Sequence, residues 1–242
     1  MTRNRSAGTA TAQSREHNST LDLACMSVRD SNQLLHSAAG GEFLVKNPRG
    51  LHAIAVGLDG PFSITIDGHV GYYCGGMNKD ASITINGNAG TGVGENMMSG
   101  RIHVKGDASQ SAGATGCGGI LIIDGNASAR CGISLRGLDI VVKGSVGHMS
   151  AFMAQAGNLV VFGDTGDALG DSIYEAQLFV RGIPRSLGSD CIAKAMRDEH
   201  KVALYQVLEK AGLAGEVDIS DFRRYGSARK LYNFHIDNLG SY

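Results

Sequence analysis

The sequence predicts an all-β protein, a right-handed parallel β-helix (solenoid) whose coils each contain 19 residues. One observation behind this prediction is a glycine that recurs every 19 residues. A second is the set of aliphatic residues that keep fixed distances from that glycine. The third is the glycine content, 35 of 242 residues, about twice the usual share of roughly 7%.

The repeat is anchored by seven glycines, each the expected turn residue of its coil: Gly68, Gly87, Gly106, Gly125, Gly144, Gly163 and Gly182. A β-branched residue stands two positions before each anchor, as in Ile66 and Ile85, and Ile or Leu stands four before. This alternation is strand periodicity. A unit of 19 residues is shorter than the ~30 residues of a strand–helix–strand crossover, but it suits one solenoid coil.

Residues at other fixed distances from the anchors fit the same geometry, and we call each set of equivalent residues a column. Seven residues after the anchors stand Gly75, Gly94, Gly113, Gly132, Ala151, Gly170 and Ser189. Two residues after the anchors, most coils carry alanine or valine. Equivalent positions should stack about 4.8 Å apart, so seven coils would form a rod of roughly 34 Å. The unbroken spacing disfavours a sandwich or propeller, and the lack of a six-residue rhythm disfavours a left-handed solenoid.

The repeat divides the chain into four regions. We expect residues 1–19 to be a disordered tail and residues 20–61 to form an N-terminal cap with an irregular first coil. Residues 62–189 should form a β-helix of about seven coils. Residues 190–242 should contain a C-terminal helix and an extended tail.

The capping regions have their own patterns. Residues 26–38 favour a short helix, "EFLVKN" a strand, and "LHAIAVGL" a degenerate coil. A second helix is expected to begin at Ser189 or Asp190 and to end at Gly212. Its apolar face would consist of Ile192, Met196, His200, Ala203, Val207 and Ala211. The alternating "RKLYNFHIDN" that follows would cover the end of the solenoid or reach a partner.

Composition excludes several functions. The net charge of −1 and the absence of a long basic run argue against binding nucleic acid or an anionic membrane. Five cysteines without a C-x-x-C motif do not suit a disulfide scaffold or a zinc or iron–sulfur site. No apolar stretch is long enough to span a membrane, and no secretory signal is visible. We therefore expect a cytoplasmic protein.

The candidate residues do not assemble into a catalytic or metal site. The glycine-rich "GNAGTGVGE" is followed by a strand rather than a phosphate-binding helix. Cys74 and Cys131 occupy the same position of the 19-residue repeat but lie three coils apart, about 14 Å. This distance is too long for a disulfide or a shared metal ion, so buried thiols are the simpler interpretation. Cys117 lacks an identifiable activating neighbour. The sequence therefore predicts no catalytic, cofactor-binding or metal-binding residue in this chain.

Histidine and aspartate positions agree with this. His69, His103 and His148 occupy three different phases and cannot form one metal-binding column. Asp67 and Asp124 share a phase, again three coils apart, which is too far for a carboxylate pair.

An outward-facing apolar stripe is the one distinctive surface. Three residues before the anchors, the column changes from Thr65, Thr84 and His103 to apolar residues. The predicted interface consists of Ile122, Val141, Val160 and Phe179, widened by Phe162. Such a stripe indicates either a partner-binding surface or a face that the chain itself covers.

The repeats at residues 87–106 ("GNAGTGVGENMMSGRIHVKG") and 144–163 ("GSVGHMSAFMAQAGNLVVFG") carry a further signal. They resemble the GXGXG β-helix family, which includes the C-terminal domain of the glutamate synthase large subunit and the β-helix subunit of formylmethanofuran dehydrogenase. The flanks "MSVRDSNQLLH" and "GSARKLYNFH" resemble its stand-alone version, the Glx-type β-helix subunit of methylamine–glutamate N-methyltransferase (N-methylglutamate synthase). Ser99-Gly100, Ala151 and Ser189 depart from the glycine pattern.

This resemblance implies a non-catalytic structural subunit of a glutamate-synthase-like complex. Its partners would be a glutamine-amidotransferase-like subunit and an FMN-binding, iron–sulfur-containing synthase subunit, so FMN and the cluster would belong to a partner chain. Two alternatives stay open: the β-helix component of a formylmethanofuran dehydrogenase, and a stand-alone solenoid enzyme such as an acyltransferase or polysaccharide lyase.

Overall fold

The computed structural model describes residues 19–229 and shows a β-solenoid with two helices. The first part of the chain contains β1 (Ser19–Asp22), α1 (Val28–Ser37) and β2 (Gly41–Lys46). Seven further strands follow: β3 (Phe62–Asp67), β4 (Ser82–Ile85), β5 (Arg101–Val104), β6 (Ile120–Ile123), β7 (Arg136–Val142), β8 (Ala156–Val161) and β9 (Gln177–Val180). The C-terminal part contains β10 (Cys191–Lys194), α2 (Asp198–Ala211), a 3-10 turn (Ile219–Asp221) and β11 (Arg223–Ser227).

All the strands within residues 19–229 form one sheet, in the order β1 to β9, then β11 and β10. Strands β1 to β9 are parallel, and from β3 to β9 the paired residues are 19 apart, as in Ile64, Ile83 and Ile102. A bulge at the start of β7 is the only register shift among these pairs. The predicted solenoid and its 19-residue coil are therefore confirmed.

The core is the bore of the solenoid. The two aliphatic columns predicted from the strands are buried inside it, as are Val70, Val93 and Met97 from other positions of the coil. A second ladder of single β-bridges, from Val70 to Pro184, runs along the residue two after each anchor. Because identical positions stack, each aliphatic side chain packs against its equivalents above and below.

The anchor glycines lie where the backbones of successive coils are in close contact. A Cβ added to Gly87 would lie 2.7 Å from the carbonyl carbon of Gly68, whose backbone cannot move aside. The Gly106 N–H donates to the Gly87 carbonyl at 3.1 Å, and the next three anchors repeat this bond. Any larger side chain here would separate the coils.

A polar ladder, which the repeat did not predict, follows the anchors. The side chains of Asn88, Asp107 and Asn126 each accept a hydrogen bond from the backbone N–H of the equivalent residue one coil later. The Ser145 and Asp164 side chains continue the series at 3.0 and 2.8 Å. These short acceptors satisfy backbone donors at a corner, where no strand partner is available.

The corner opposite the sheet has an unusual backbone. In most coils the residues five, seven and nine after the anchor take the left-handed conformation, as Tyr73, Gly75 and Met77 do. We call this segment the turn wall. Ala151 keeps the conformation of the glycines that it replaces, with φ +57°. The alignment of Ser189 with this column was wrong: the last coil is one residue shorter, and Gly188 bonds to the Leu169 carbonyl.

The N-terminal cap contains the expected helix and strand. The Ser27 side chain caps α1 by accepting from the Asp30 N–H at 3.1 Å. Asn32 fixes this helix to the first coil, since its amide group donates to the Ala53 carbonyl and accepts from the Ala55 N–H. A disordered tail was expected over residues 1–19. Residues 1–18 lie outside the described residues, and Ser19 is the first residue of β1.

The C-terminal region differs from the sequence prediction. The helix begins at Asp198 rather than near Asp190, and Ile192 belongs to β10, which pairs with β11. The predicted end is confirmed, because Gly212 is the left-handed C-cap with φ +79°. Arg197 is the N-cap, and its N–H donates to the His200 ring at 3.1 Å. All of "RKLYNFHIDN" beyond Arg229 lies outside the described residues.

Helix α2 covers the apolar stripe. Its buried residues are Leu204, Val207, Leu208 and Ala211. They form a second core with the stripe residues Ile122, Val141, Val160 and Phe179, while Phe162 is partly buried against it. The predicted interface residues are therefore not exposed: of the two alternatives for the stripe, a face covered by the chain itself is the one found, because α2 and Phe222 occupy it.

We expect Gly87→Ala to lower the free energy of unfolding by about 1–3 kcal/mol, because the new methyl group would meet fixed backbone. Gly226→Ala is the matched control: its nearest atoms would be 3.8 Å away, so a change within about 0.5 kcal/mol is expected. Urea denaturation followed by circular dichroism measures both. Equal losses in the two variants would contradict this account of the anchors.

Leu204→Asp should detach α2, because it places a carboxylate in the second core, where Leu204 is fully buried. We expect a loss of about 3 kcal/mol or more and increased binding of the dye ANS as the stripe becomes exposed. Tyr205→Asp, on the exposed side of α2, should change neither property. Unchanged dye binding in Leu204→Asp would show that α2 does not hold the stripe.

Candidate protein-interaction surface

The predicted cysteine candidates lie in two different environments. Cys74 and Cys131 are completely buried in the bore, and burial raises the pKa of both thiols to about 12. They are therefore protonated core residues at neutral pH. Cys117 is exposed, with its Sγ 3.5 Å from the Thr115 carbonyl oxygen.

His103, on β5, and Asp124, the residue after β6, belong to a charged cluster on the outer face of the sheet. His103 Nε2 lies 3.0 Å from Asp124 Oδ1, and Lys143 Nζ lies 2.8 Å from the same oxygen. Burial acts to raise the pKa of Asp124, but hydrogen bonds from Lys143 and His103 outweigh it and lower the pKa. The ionised Asp124 carboxylate therefore links neighbouring coils through its contacts with His103 and Lys143.

The other polar candidates are also structural. The His69 ring accepts from the Asn88 N–H at 2.8 Å, as the first member of the polar ladder. Among residues 19–229, no three His, Cys, Asp or Glu side chains converge as metal ligands would.

A charged contact fixes the C-terminal end of α2 to the sheet. Arg101 donates to the carbonyls of Lys210 and Ala211, the last two residues of the helix. The Lys210 ammonium lies 2.8 Å from the buried carboxylate of Asp139, whose other oxygen accepts from Asn158 at 2.7 Å. A cation at a helix C-terminus is favourable because the carbonyl ends carry partial negative charge.

The exposed side chains that best suit a protein partner lie on the first coils. The rings of His52 and Tyr72 stack with centroids 4.4 Å apart, and Tyr72 contacts Tyr73 edge to face at 6.3 Å. Both tyrosines and Met77 are about half exposed. We call His52, Tyr72, Tyr73 and Met77 the aromatic patch.

The backbone helps to position the rings of the aromatic patch. Tyr73 takes the left-handed conformation with φ +60°, which directs its side chain away from the bore. Its ring extends over Gly92 of the next coil, where an added Cβ would lie 2.6 Å from a ring carbon. The Tyr72 N–H donates to His52 Nδ1 at 2.9 Å and so orients the histidine beneath it.

The aromatic patch did not emerge from the sequence because the first coil is irregular. His52 and Tyr72 are 20 residues apart, as are the bridged residues Asp59 and Lys79, so the 19-residue alignment does not superimpose them. The one signal was the pair of adjacent tyrosines, in a position where later coils carry no aromatic residue except His148.

The chain closely resembles a curated bacterial protein. Protein GlxC of Rhizobium meliloti (strain 1021) is 58% identical over 226 residues, which cover 92% of this chain and 99% of that protein. This chain belongs to the GlxC family. No protein-family model matches it, so membership of the wider GXGXG family stays a prediction. Neither α1 nor α2 is long and apolar enough to cross a membrane, and the described residues contain no other α-helix.

The histidine of the charged cluster should make stability depend on pH. Burial, aided by the Lys105 and Arg101 cations, lowers the pKa of His103, although Asp124 acts to raise it. Since the unfolded ring takes up a proton at higher pH than the folded one, stability should fall as the pH drops below about 6.5. His103→Gln should flatten this dependence between pH 7 and 5, as measured by urea denaturation.

Thr84→Ser is the control, because it changes the neighbouring strand in the same column without removing a titratable group. An identical pH dependence in wild type and His103→Gln would show that another group controls it.

Proposed function

We propose that this chain is a non-catalytic structural subunit of a glutamate-synthase-like complex, methylamine–glutamate N-methyltransferase (N-methylglutamate synthase). Membership of the GlxC family supports a place in such a Glx system. The partners are a glutamine-amidotransferase-like subunit and an FMN-binding, iron–sulfur-containing synthase subunit. FMN and the cluster belong to the latter, and the solenoid orients the two so that ammonia or an amine passes between their sites.

The aromatic patch is the observation on which this proposal depends. Tyrosine and methionine are enriched at protein interfaces, where a few such residues supply most of the binding energy. A ring with two rotatable bonds also loses little conformational entropy when it binds. The stacked His52 and Tyr72 rings are already ordered on a rigid solenoid, so contact with a partner costs less.

The surroundings of the patch agree with a binding role. Leu51, next to His52 in the chain, is 39% exposed, and Leu34 on α1 is 50% exposed. These side chains lie at the N-terminal end, whereas the apolar stripe near the other end is already covered by α2. Together with the aromatic patch, these leucines give the first coils a group of exposed apolar side chains that a partner could contact.

Co-expression with an amidotransferase-like subunit and an FMN-binding synthase-like subunit from the same organism tests the proposal. Purification through a tag on this chain should recover all three proteins in fixed ratio, with flavin absorbance in the same fractions. Recovery of this chain alone, or methyl transfer by the isolated chain, would overturn it.

A double variant, Tyr72→Ser with Tyr73→Asn, tests the role of the aromatic patch. Asparagine suits the left-handed backbone at position 73, so the fold should persist while the rings are lost. We expect partner affinity to fall at least about tenfold, or about 1.4 kcal/mol, in titration of the purified partners. Tyr205→Ser removes an equally exposed tyrosine from α2 and should bind normally. Unchanged affinity in the double variant would exclude the patch as the interface.

A further inference from the structure

A cavity of about 650 Å³ lies between α1 and the first coil. The residues of α1 that line it recur with the i, i+3, i+4 and i+7 spacing of a single helix face: Arg29, Asn32, Gln33 and His36. His52 and Ala53 of the first coil line the opposite side. Because His52 also belongs to the aromatic patch, the cavity and the patch adjoin at that residue.

Hydrogen bonds hold both sides of this cavity in place. His36 Nε2 lies 2.7 Å from the Val56 carbonyl oxygen, and the Asn32 amide bonds to the backbone of the same coil. The Tyr72 N–H donates to His52 Nδ1 at 2.9 Å. A neutral His52 ring therefore carries its proton on Nε2 and can donate from that atom. The cavity is thus a fixed feature of the N-terminal cap with a polar lining.

Arg29 gives the cavity a positive charge that the described chain does not neutralise. Its side chain is exposed, and no carboxylate among residues 19–229 forms an ion pair with it. Asp30 faces another side of α1, where it accepts from the Ser27 hydroxyl at 2.7 Å. A cation in the first turn of a helix is unfavourable to the helix dipole, so the stability of α1 does not explain Arg29. A carboxylate is the group that suits this arrangement.

We propose that an aspartate or glutamate side chain of a partner protein enters this cavity and pairs with Arg29, while the aromatic patch contacts apolar residues of the same partner. The inference rests on the proposed function, because it requires a partner protein. Guanidinium groups bind carboxylates through two parallel hydrogen bonds, and arginine is enriched with tyrosine at protein interfaces. A protein surface can contact the cavity and the Tyr72 ring at once, whereas a small anion reaches only the cavity.

Charge reversal at position 29 tests the pairing. In titration of the purified partner subunits, Arg29→Glu should bind at least about tenfold more weakly, because like charges then meet. A carboxylate in the first turn favours the helix, so α1 should persist in this variant. Arg29→Lys, which keeps the charge, should lose less affinity. Arg223→Glu is the matched control, since Arg223 is exposed on β11 near the other end of the sheet, and it should bind normally.

Two results distinguish this inference from the proposed function. Normal binding by Arg29→Glu, in a complex that still forms, would overturn the inference and leave the proposed function standing. Failure to recover any complex with the partner subunits would overturn both.

A zero-length crosslink identifies the group that pairs with Arg29. In the Arg29→Lys variant, a carbodiimide activates a partner carboxylate, the introduced amine attacks it, and an amide bond forms as the reagent leaves as a urea. Peptide mass spectrometry should find this link to an aspartate or glutamate of the partner, and Arg223→Lys should give no link. Absence of the link in a complex that forms normally would contradict the proposal. Saturable binding of free phosphate or succinate to the isolated chain, abolished by Arg29→Glu, would assign the cavity to a small anion and also contradict it.

Discussion

Close contact between the backbones of successive coils is the constraint on which this structure depends. At the anchors, Gly106 bonds directly to Gly87, and there is no room for a β-carbon between Gly87 and Gly68. This spacing brings the aliphatic columns of the bore into contact and sets the polar ladder at hydrogen-bonding distance. The many glycines therefore allow successive coils to lie close together. The side chains of the strands then determine which faces are apolar.

The turn wall shows the cost of this arrangement. Non-glycine residues such as Tyr73, Arg130 and Met153 take positive φ angles, and each departs from the favoured region by about 1–2 kcal/mol. Hydrogen bonds to the neighbouring coils offset this cost: the Tyr73 N–H donates to Thr91 and the Arg130 N–H to His148, both near 2.9 Å. The same conformation directs Tyr73 outward, so the backbone that closes each coil also displays the aromatic patch.

The sequence predicts the strands that recur with the repeat. It does not predict the elements whose structure depends on contacts between distant parts of the chain. Ile64, Ile83 and Ile102 reveal the strands because equal spacing places them in one column. Ile192 fits a helical pattern equally well, and only its pairing with Gly226, 34 residues later, makes it a strand residue.

The same limit applies to surfaces. The pattern of Ile122 and Val141 identifies an apolar face but not the segment that covers it, and α2 does so through Leu204 and Leu208. The aromatic patch lies in a coil of irregular length, where periodicity gives no alignment. The candidate binding surface was thus the part of the molecule that the repeat described least.

The insertion of β11 between β9 and β10 has a consequence for how the molecule is made. β10 pairs only with β11 among the described strands, so it has no place in the sheet until residues 223–227 have emerged from the ribosome. The reversed direction of β11 also interrupts the series of parallel strands, and β10, which again runs parallel to β9, becomes the last strand of the described sheet.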